Sequence, residues 1–248
     1  MISIFRKKEF LIDQLEGITD IHNHILPGID DGAANLVDSI QLLERYNQMG
    51  ISSFIATPHV MNDYYPNTRE TIENALQNLK LEVNQNPNLS KVQINAAAEY
   101  MMDQHFLDLI KTERLLTLKE NMVLVEMSYF QAPINLNEIL FTIQTSGYKP
   151  VLAHPERYAF YHSKDLRKYQ DLKDRGCYFQ LNALSLTTHY GINMQKTAYK
   201  LLEAGMIDFI GTDTHRLQHL EKLSNTAIPR KNRDFLYKMI SKTREYFN

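Results

Sequence analysis

Residues 18–33 read I-T-D-I-H-N-H-I-L-P-G-I-D-D-G-A, a short, largely apolar run followed at once by two histidines and then by two aspartates. The run at residues 18–21 predicts a buried strand. His22 and His24 are two residues apart on extended chain, so both side chains point to the same side of the backbone. The stretch therefore predicts a strand whose carboxyl end presents a pair of histidines able to chelate one ion.

Six further runs of the same kind predict strands at 53–56, 92–97, 122–126, 150–153, 178–181 and 207–210. Helical patterns lie between and after them, at 36–49, 67–85, 104–112, 135–145, 164–175, 193–204 and 231–246. Strands that alternate with helices predict a parallel sheet with right-handed crossovers, the α/β class. The alternation fits an open, doubly wound sheet as well as a closed barrel.

Composition narrows the class of protein further. The chain has 248 residues, 44% of them hydrophobic and 23% charged, with a net charge of −2. These values predict a folded protein and give no electrostatic reason to expect nucleic acid as a partner. Its one cysteine, Cys177, allows no internal disulfide and no cysteine-rich zinc site, which is typical of a reducing compartment, so we expect the cytoplasm.

The chain is predicted to be a single domain over residues 1–248, with residues 1–17 as an N-terminal extension. No apolar run approaches the ~18 residues of a membrane span. The first eight residues are apolar and then basic, a pattern that suits either contact with an anionic membrane surface or, as we expect, a helical extension of the fold.

Histidine or a carboxylate follows or ends six of the seven predicted strands. In parallel α/β folds this carboxyl end is where active sites lie, and these side chains are the ligands that hydrolytic metals use. A single tetrahedral zinc needs only four ligands, so a larger set indicates two or three ions. The candidate ligands are His22, His24, Asp31, His59, Glu99, Glu126, His154, Asp213 and His215.

Aromatic residues lie in the loops at the same end of the predicted sheet, among them Tyr64, Tyr65 and Phe130. They are candidates for an apolar rim that binds substrate, and packing of the loop residues on one another is the alternative. The remaining histidines lie in helical or loop segments and are predicted to be structural or solvated; they are His105, His162, His189 and His219.

The order of the motifs resembles that of the polymerase and histidinol phosphatase (PHP) superfamily. The motifs are H-x-H after the first strand, T-P-H at 57–59, Glu99, H-P-E-R at 154–157 and D-x-H at 213–215. The string at 20–33 is similar to one branch, the bacterial manganese-dependent protein-tyrosine phosphatases of capsule and exopolysaccharide loci. The resemblance covers residues 18 to 220 and implies a distorted (β/α)7 TIM-like barrel of PHP type.

The resemblance also implies a trinuclear centre of Mn²⁺, with Fe, Co or Zn as alternatives. Carried over by motif, one ion is held by His22, His24, Glu99 and Asp213. A second ion shares Glu99 and adds Glu126 and His154, and a third takes Asp31, His59 and His215.

Three further residues are candidates for contact with phosphate. Arg157 is the predicted catalytic clamp, since a guanidinium matches phosphate oxygens, and a structural ion pair is its alternative role. Arg216 is a second candidate clamp. Asn182, at the end of the sixth strand, is expected either to hydrogen-bond a phosphate or water, or to cap the next turn.

The function that the resemblance implies is hydrolysis of phosphotyrosine by metal-activated hydroxide, on a bacterial tyrosine kinase that controls capsule or exopolysaccharide synthesis. One alternative is a small-molecule phosphomonoesterase such as histidinol-phosphate phosphatase. Another is a non-catalytic, metal-bound module that docks a kinase. A cysteine nucleophile is excluded because the C-x5-R pattern fails: Ala183 stands where arginine is required after Cys177.

Overall fold

The computed structural model describes residues 8–163 and 165–248. The strands are β1 Thr19–Asp20, β2 Ser53–Ala56, β3 His59–Val60, β4 Gln93–Ala96, β5 Glu99–Met101, β6 Met122–Glu126, β7 Lys149–Ala153, β8 Tyr178–Asn182 and β9 Phe209–Gly211. The helices are α1 Leu11–Leu15, α2 Leu36–Gln48, α3 Arg69–Gln85, α4 Gln104–Thr112, α5 Leu136–Thr145, α6 Arg167–Asp174, α7 Ile192–Glu203, α8 Leu217–Ser224 and α9 Arg233–Phe247.

The strands form two parallel sheets, of order β1-β2-β4 and β3-β5-β6-β7-β8-β9. Two strands of the first sheet are each followed almost directly by a strand of the second. Only Thr57 and Pro58 separate β2 from β3, and only Ala97 and Ala98 separate β4 from β5. Proline has no N–H to give to a strand ladder, which accounts for the first interruption. Counted through these breaks, seven strand positions follow one another in chain order, which confirms the predicted α/β alternation.

The first and last strand positions are also neighbours. A parallel bridge joins Asn23, just after β1, to Thr214, just after β9. Two backbone hydrogen bonds flank it, from His24 N to Thr214 O at 3.0 Å and from Asp213 N to His22 O at 2.7 Å. The segments that carry H-x-H and D-x-H are therefore held side by side.

A compact set of apolar side chains fills the space enclosed by the strands. Met122 and Leu124 of β6 belong to it, together with Val151 of β7, and Phe247 of α9 is packed in the same cluster. Alternate residues of a strand share a face, so Glu126 continues the inward face of β6 beyond this apolar layer. The carboxyl ends of the strands therefore lie above a dry core.

The predicted N-terminal extension contains one short helix, α1, among its described residues. Leu11 and Leu15 of α1 are buried, and Arg244 of α9 donates to the carbonyl oxygens of Gln14 and Glu16 at 3.2 Å and 2.7 Å. Residues 1–7 lie outside the described residues, and with them most of the apolar and basic start. Within the described part of the chain, no helix combines the length and hydrophobicity needed to cross a bilayer.

Candidate metal centre

All nine predicted ligands come together at the carboxyl ends of the strands, and we call them the ligand cluster. Their ligand atoms form four overlapping groups, each within 4.8 Å. The groups are His24, Asp31, His59 and His215; His22, His154 and Asp213; His22, His24 and Glu99; and His59, Glu99 and Glu126. The groups differ from the implied three-ion assignment, because Glu126 lies with His59 and His154 lies with His22 and Asp213.

The inner part of the ligand cluster is built around the two histidines of H-x-H. Their Nε2 atoms lie 3.4 Å apart. Oε2 of Glu99 lies 3.1 Å from Nε2 of His22, and Oδ1 of Asp213 lies 3.3 Å from Nε2 of His24. All four residues are at most 1% exposed, so two carboxylates and two imidazoles share one dry space.

The outer part of the ligand cluster reaches the surface. Oδ1 of Asp31 lies 3.4 Å from Nε2 of His59 and 3.3 Å from Nε2 of His215. The Asp31 side chain is 46% exposed, whereas those of the two histidines are 10% and 12% exposed. One side of the centre therefore faces solvent, where substrate and ions can enter.

Several buried ligand atoms have close neighbours but make no hydrogen bond. Nδ1 of His59 lies 2.9 Å from Oε1 of Glu126, and Nε2 of His154 lies 3.0 Å from Oε1 of Glu99. Within the described residues, the His59 nitrogen, the Glu99 oxygen and both Glu126 oxygens remain without a hydrogen-bond partner. Unsatisfied buried carboxylates are costly, and divalent cations bound by nitrogen and oxygen would satisfy them. The donor set therefore fits a metal centre.

Backbone strain occurs at two members of the ligand cluster. In the described part of the chain, three non-glycine residues have positive φ, and His154 at 36° and Asp213 at 52° are two of them. His154 directly follows the carboxyl end of β7, and Asp213 lies two residues beyond the end of β9. Such left-handed conformations are disfavoured for residues with a Cβ and are concentrated at functional sites.

Without cations, the charges of the ligand cluster compensate one another. Burial lowers the pKa of His24, but the carboxylates of Asp30 and Asp213 together outweigh burial, and the pKa rises to about 10. Burial opposes ionisation of Glu99, yet His22 and His59 hold its pKa well below the ordinary value. The carboxylates thus favour protonation of neighbouring imidazoles, and a metal that binds the same nitrogens would compete with protons for them.

Residues outside the ligand cluster fix the orientation of its histidines. Oδ2 of Asp30 lies 2.7 Å from Nδ1 of His24, and Oε1 of Gln180 lies 2.7 Å from Nδ1 of His22. Neither Asp30 nor Gln180 was among the site residues predicted from the sequence. Asp30 stands in the quoted motif beside Asp31, so a signal existed, whereas Gln180 is an ordinary position within β8.

A cavity of about 810 Å³ lies over the ligand cluster. The predicted substrate contacts Tyr64, Tyr65, Phe130, Arg157 and Arg216 all line it. Other side chains line it as well, among them Tyr129, Tyr190, His189 and His219, and the two histidines had been predicted to be structural or solvated.

Arg157 forms a structural ion pair, which was the alternative role predicted for it, and its side chain also lines the cavity. Its Nη1 donates to Oδ2 of Asp213 at 2.8 Å, and its side chain is 17% exposed. Asn182 is fully buried and does not line the cavity. Its Oδ1 accepts from Leu184 N at 2.8 Å, which caps the turn, and its Nδ2 donates to Oδ2 of Asp213 at 2.6 Å.

Cys177 is buried just before β8, at the end of the strand opposite the cavity. Burial raises the pKa of its thiol to about 12. The thiol is therefore protonated at neutral pH, as expected for a core residue.

Comparison with known proteins gives concordant matches. Residues 18–234 match the protein family described as Capsular polysaccharide synthesis, CpsB/CapC. The chain is 30% identical over 204 residues to the putative tyrosine-protein phosphatase CapC of Staphylococcus aureus, covering 81% of this chain and 78% of that one. It is 30% identical over 209 residues to the tyrosine-protein phosphatase YwqE of Bacillus subtilis, covering 80% and 78%.

A solved structure also has the same fold. It comes from the crystal structures of YwqE from Bacillus subtilis and CpsB from Streptococcus pneumoniae, unique metal-dependent tyrosine phosphatases. The TM-score is 0.80 at 23% sequence identity, and the match covers 93% of this chain and 94% of that chain. The overall arrangement of strands and helices is thus shared along nearly the whole length.

Proposed function

Because the chain belongs to the CpsB/CapC family of capsular polysaccharide synthesis, we propose that it is a metal-dependent tyrosine-protein phosphatase. The ligand cluster carries this proposal: nine histidines and carboxylates converge, and several of their buried atoms are left without partners. The names of the relatives, tyrosine-protein phosphatases, supply the substrate class.

The nine residues of the ligand cluster would hold two or three Mn²⁺ ions. Bound divalent ions supply Lewis acidity toward phosphoryl oxygens and make hydroxide available near neutral pH. Glu99 lies in two of the four groups, so its carboxylate would be available to more than one ion. The same donor types accept Fe, Co or Zn, so availability decides among them.

The protein's own residues bind and orient the phosphoryl group. Arg157 presents a planar guanidinium to the cavity and neutralises charge on phosphoryl oxygens, the main task in phosphoryl transfer. Arg216, exposed at the beginning of α8, adds positive charge at the mouth. A phenolate leaving group has a pKa of ~10, so departure from phosphotyrosine needs less help from a general acid than departure of an alkoxide.

The rim of the cavity suits the tyrosine ring and the polypeptide around it. Phe130 is 93% exposed and Tyr64 is 79% exposed, while Tyr65 stacks on His59 with ring centroids 5.5 Å apart. Exposed aromatic side chains that line a cavity are typical of recognition surfaces. The partner that we propose is a phosphotyrosyl protein in the cytoplasm, a bacterial tyrosine kinase of capsule or exopolysaccharide synthesis.

The charges in the cavity favour phosphotyrosine over histidinol phosphate. A phosphate ester with an ammonium group requires an acid that is free to pair with it. Among the described residues that line the cavity, the acids are Asp31, Glu126 and Asp213, and all three belong to the ligand cluster. No carboxylate of the described lining remains for an ammonium group.

The proposal is tested by comparing kcat/KM of the Mn²⁺-loaded protein on three substrates: a phosphotyrosyl peptide, the same peptide with phosphoserine, and histidinol phosphate. We expect the phosphotyrosyl peptide to be hydrolysed at least about tenfold more efficiently than either of the others. Preference for histidinol phosphate would support the small-molecule alternative. No turnover of any substrate, or of p-nitrophenyl phosphate, would support the docking module.

A further inference from the structure

The guanidinium of Arg157 lies over two tyrosine rings from different parts of the chain. Its central carbon is 4.0 Å from the ring centroid of Tyr190 and 4.6 Å from that of Tyr129. Tyr129 follows β6, whereas Tyr190 lies in the connection between β8 and α7. A guanidinium over an aromatic face is attracted by the quadrupole of the ring, most strongly where water is excluded. Two separate loops thus converge on one cation.

Hydrogen bonds tie one of these rings to the acid that pairs with the arginine. Nδ2 of Asn182 donates to the hydroxyl oxygen of Tyr190 at 3.1 Å and to Oδ2 of Asp213 at 2.6 Å. The same carboxylate oxygen accepts from Nη1 of Arg157 at 2.8 Å. The ring, the amide, the carboxylate and the guanidinium therefore form one connected unit.

Most of the donors of the guanidinium remain available. Arginine has five N–H donors. Within the described residues, the guanidinium makes its hydrogen bond to Asp213 and no other. The side chain lines the cavity, so the donors that are left can meet a ligand there.

We propose that Tyr129 and Tyr190 are positioning residues, which hold the guanidinium of Arg157 against Asp213 so that its free N–H groups meet the phosphoryl oxygens of the substrate. This inference rests on the proposed phosphatase function. The rings replace the solvent that would otherwise surround the cation, and they restrict a side chain with many rotamers before the substrate arrives. Such preorganisation improves binding because less freedom is lost on association.

Substitution of Tyr190 separates the ring from its hydroxyl group. The ring is absent in Tyr190→Leu, and we expect inorganic phosphate to bind the Mn²⁺-loaded protein about tenfold more weakly, as measured by calorimetry. The ring remains in Tyr190→Phe, which loses only the bond from Asn182, so phosphate binding is expected to stay close to wild type. The matched control is Tyr237→Leu on α9, where the tyrosine bonds Glu9 far from the cavity lining.

Metal content and the melting temperature are measured for each variant, so that loss of ions or of the fold is recognised. Equal binding of phosphate by wild type and by Tyr190→Leu with full metal content would overturn the inference. Phosphate binding is measured without turnover, so the test of Tyr190 can be interpreted even if the protein does not hydrolyse phosphotyrosine. Absence of phosphotyrosine hydrolysis would overturn the proposed function but not, by itself, the positioning role of the tyrosines.

A double-mutant cycle tests whether the rings act through the arginine. In the Arg157→Ala background, Tyr129→Leu and Tyr190→Leu should cause no further loss of phosphate binding, because the group that they position is absent. Losses that add to that of Arg157→Ala would overturn the inference, since the rings would then contact the ligand directly. The same cycle in kcat and KM should show the same non-additivity in kcat/KM.

Discussion

Gln180 fixes the orientation of His22 through a contact of 2.7 Å between Oε1 of the amide and Nδ1 of the ring. The amide is itself oriented, because its Nε2 donates to the carbonyl oxygen of Leu181 at 2.7 Å, which leaves Oε1 for the histidine. Nδ1 of His22 therefore carries the proton, and Nε2 is the atom that faces Glu99 and His24. An interior position of β8 thus determines which nitrogen is offered to a metal.

Replacing this amide is expected to weaken metal binding. Loss of a partner that orients a ligating histidine typically costs 10–100-fold in metal affinity, so we expect Gln180→Ala to bind Mn²⁺ about tenfold or more weakly. Titration calorimetry of metal-stripped protein measures this directly. The matched control is Gln144→Ala, whose amide is exposed and bonds the carbonyl oxygen of Arg175. Unchanged affinity in Gln180→Ala would contradict the orienting role.

Gly32 of the quoted motif allows two backbone segments to approach closely. A Cβ at this position would overlap the carbonyl oxygen of His24 and lie 2.5 Å from its Cβ. We expect Gly32→Ala to reduce the free energy of unfolding by about 2–3 kcal/mol and to weaken Mn²⁺ binding, because His24 must move.

The control for this substitution is Gly147→Ala, where φ is 84° and no atom lies within 4 Å of the added Cβ. It should cost about 1 kcal/mol from backbone strain and leave Mn²⁺ binding unchanged. Urea denaturation supplies both free energies. Equal costs for the two substitutions, with equal metal affinity, would show that the close approach at Gly32 is unimportant.

The hydroxyl group of Tyr46 stabilises β1, the strand that precedes H-x-H, through Asp20. Its hydroxyl donates to Oδ2 of Asp20 at 2.9 Å and lies 2.5 Å from Oγ1 of Thr212, and all three groups are buried. Tyr46→Phe leaves a buried carboxylate short of one donor, so we expect a loss of about 1–3 kcal/mol in the free energy of unfolding. Tyr237→Phe, whose hydroxyl is exposed, should cost less than about 0.5 kcal/mol. Similar losses in both variants would contradict this role for Tyr46.

Cys177 should be inert in the folded protein. Because burial raises the pKa of the thiol to about 12, the reactive thiolate is scarce at pH 8 and becomes abundant only when the protein unfolds and the pKa returns toward its ordinary value. We expect alkylation at pH 8 to follow the unfolding rate, measured by mass spectrometry with and without urea. We also expect Cys177→Ala to retain activity. Rapid alkylation of the native protein, or inactivity of the variant, would support a mechanism in which Cys177 is the nucleophile.

The features that repeat along the chain could be predicted from the sequence. Apolar runs located the seven strand positions, and β2 and β6 have the predicted bounds. The membership of the ligand cluster was predictable, because the parallel topology brings the histidines and carboxylates at six of the seven strand positions to the same edge. Its assignment to individual ions stays a prediction.

Features that depend on contacts between distant segments were not predictable. Gln180 is 158 positions from His22 in the chain, so no local pattern marks it. Tyr190 reaches Arg157 only because two loops fold over the same edge. Likewise, His189 and His219 belong to none of the motifs that mark the site in the sequence, yet both line the cavity. The break at Ala97 and Ala98 depends on how the strand bends, which residue type alone does not specify.

Metal-dependent catalysis at the ligand cluster is tested most directly by hydrolysis of a phosphotyrosyl peptide, with metal-stripped protein before and after addition of Mn²⁺. Wild type is run beside His22→Ala, and Cys177→Ala serves as the control that should behave like wild type. We expect no hydrolysis without metal, recovery with Mn²⁺ in wild type and in Cys177→Ala, and no recovery in His22→Ala. Hydrolysis by the stripped protein, or full recovery in His22→Ala, would contradict metal-dependent catalysis at this site.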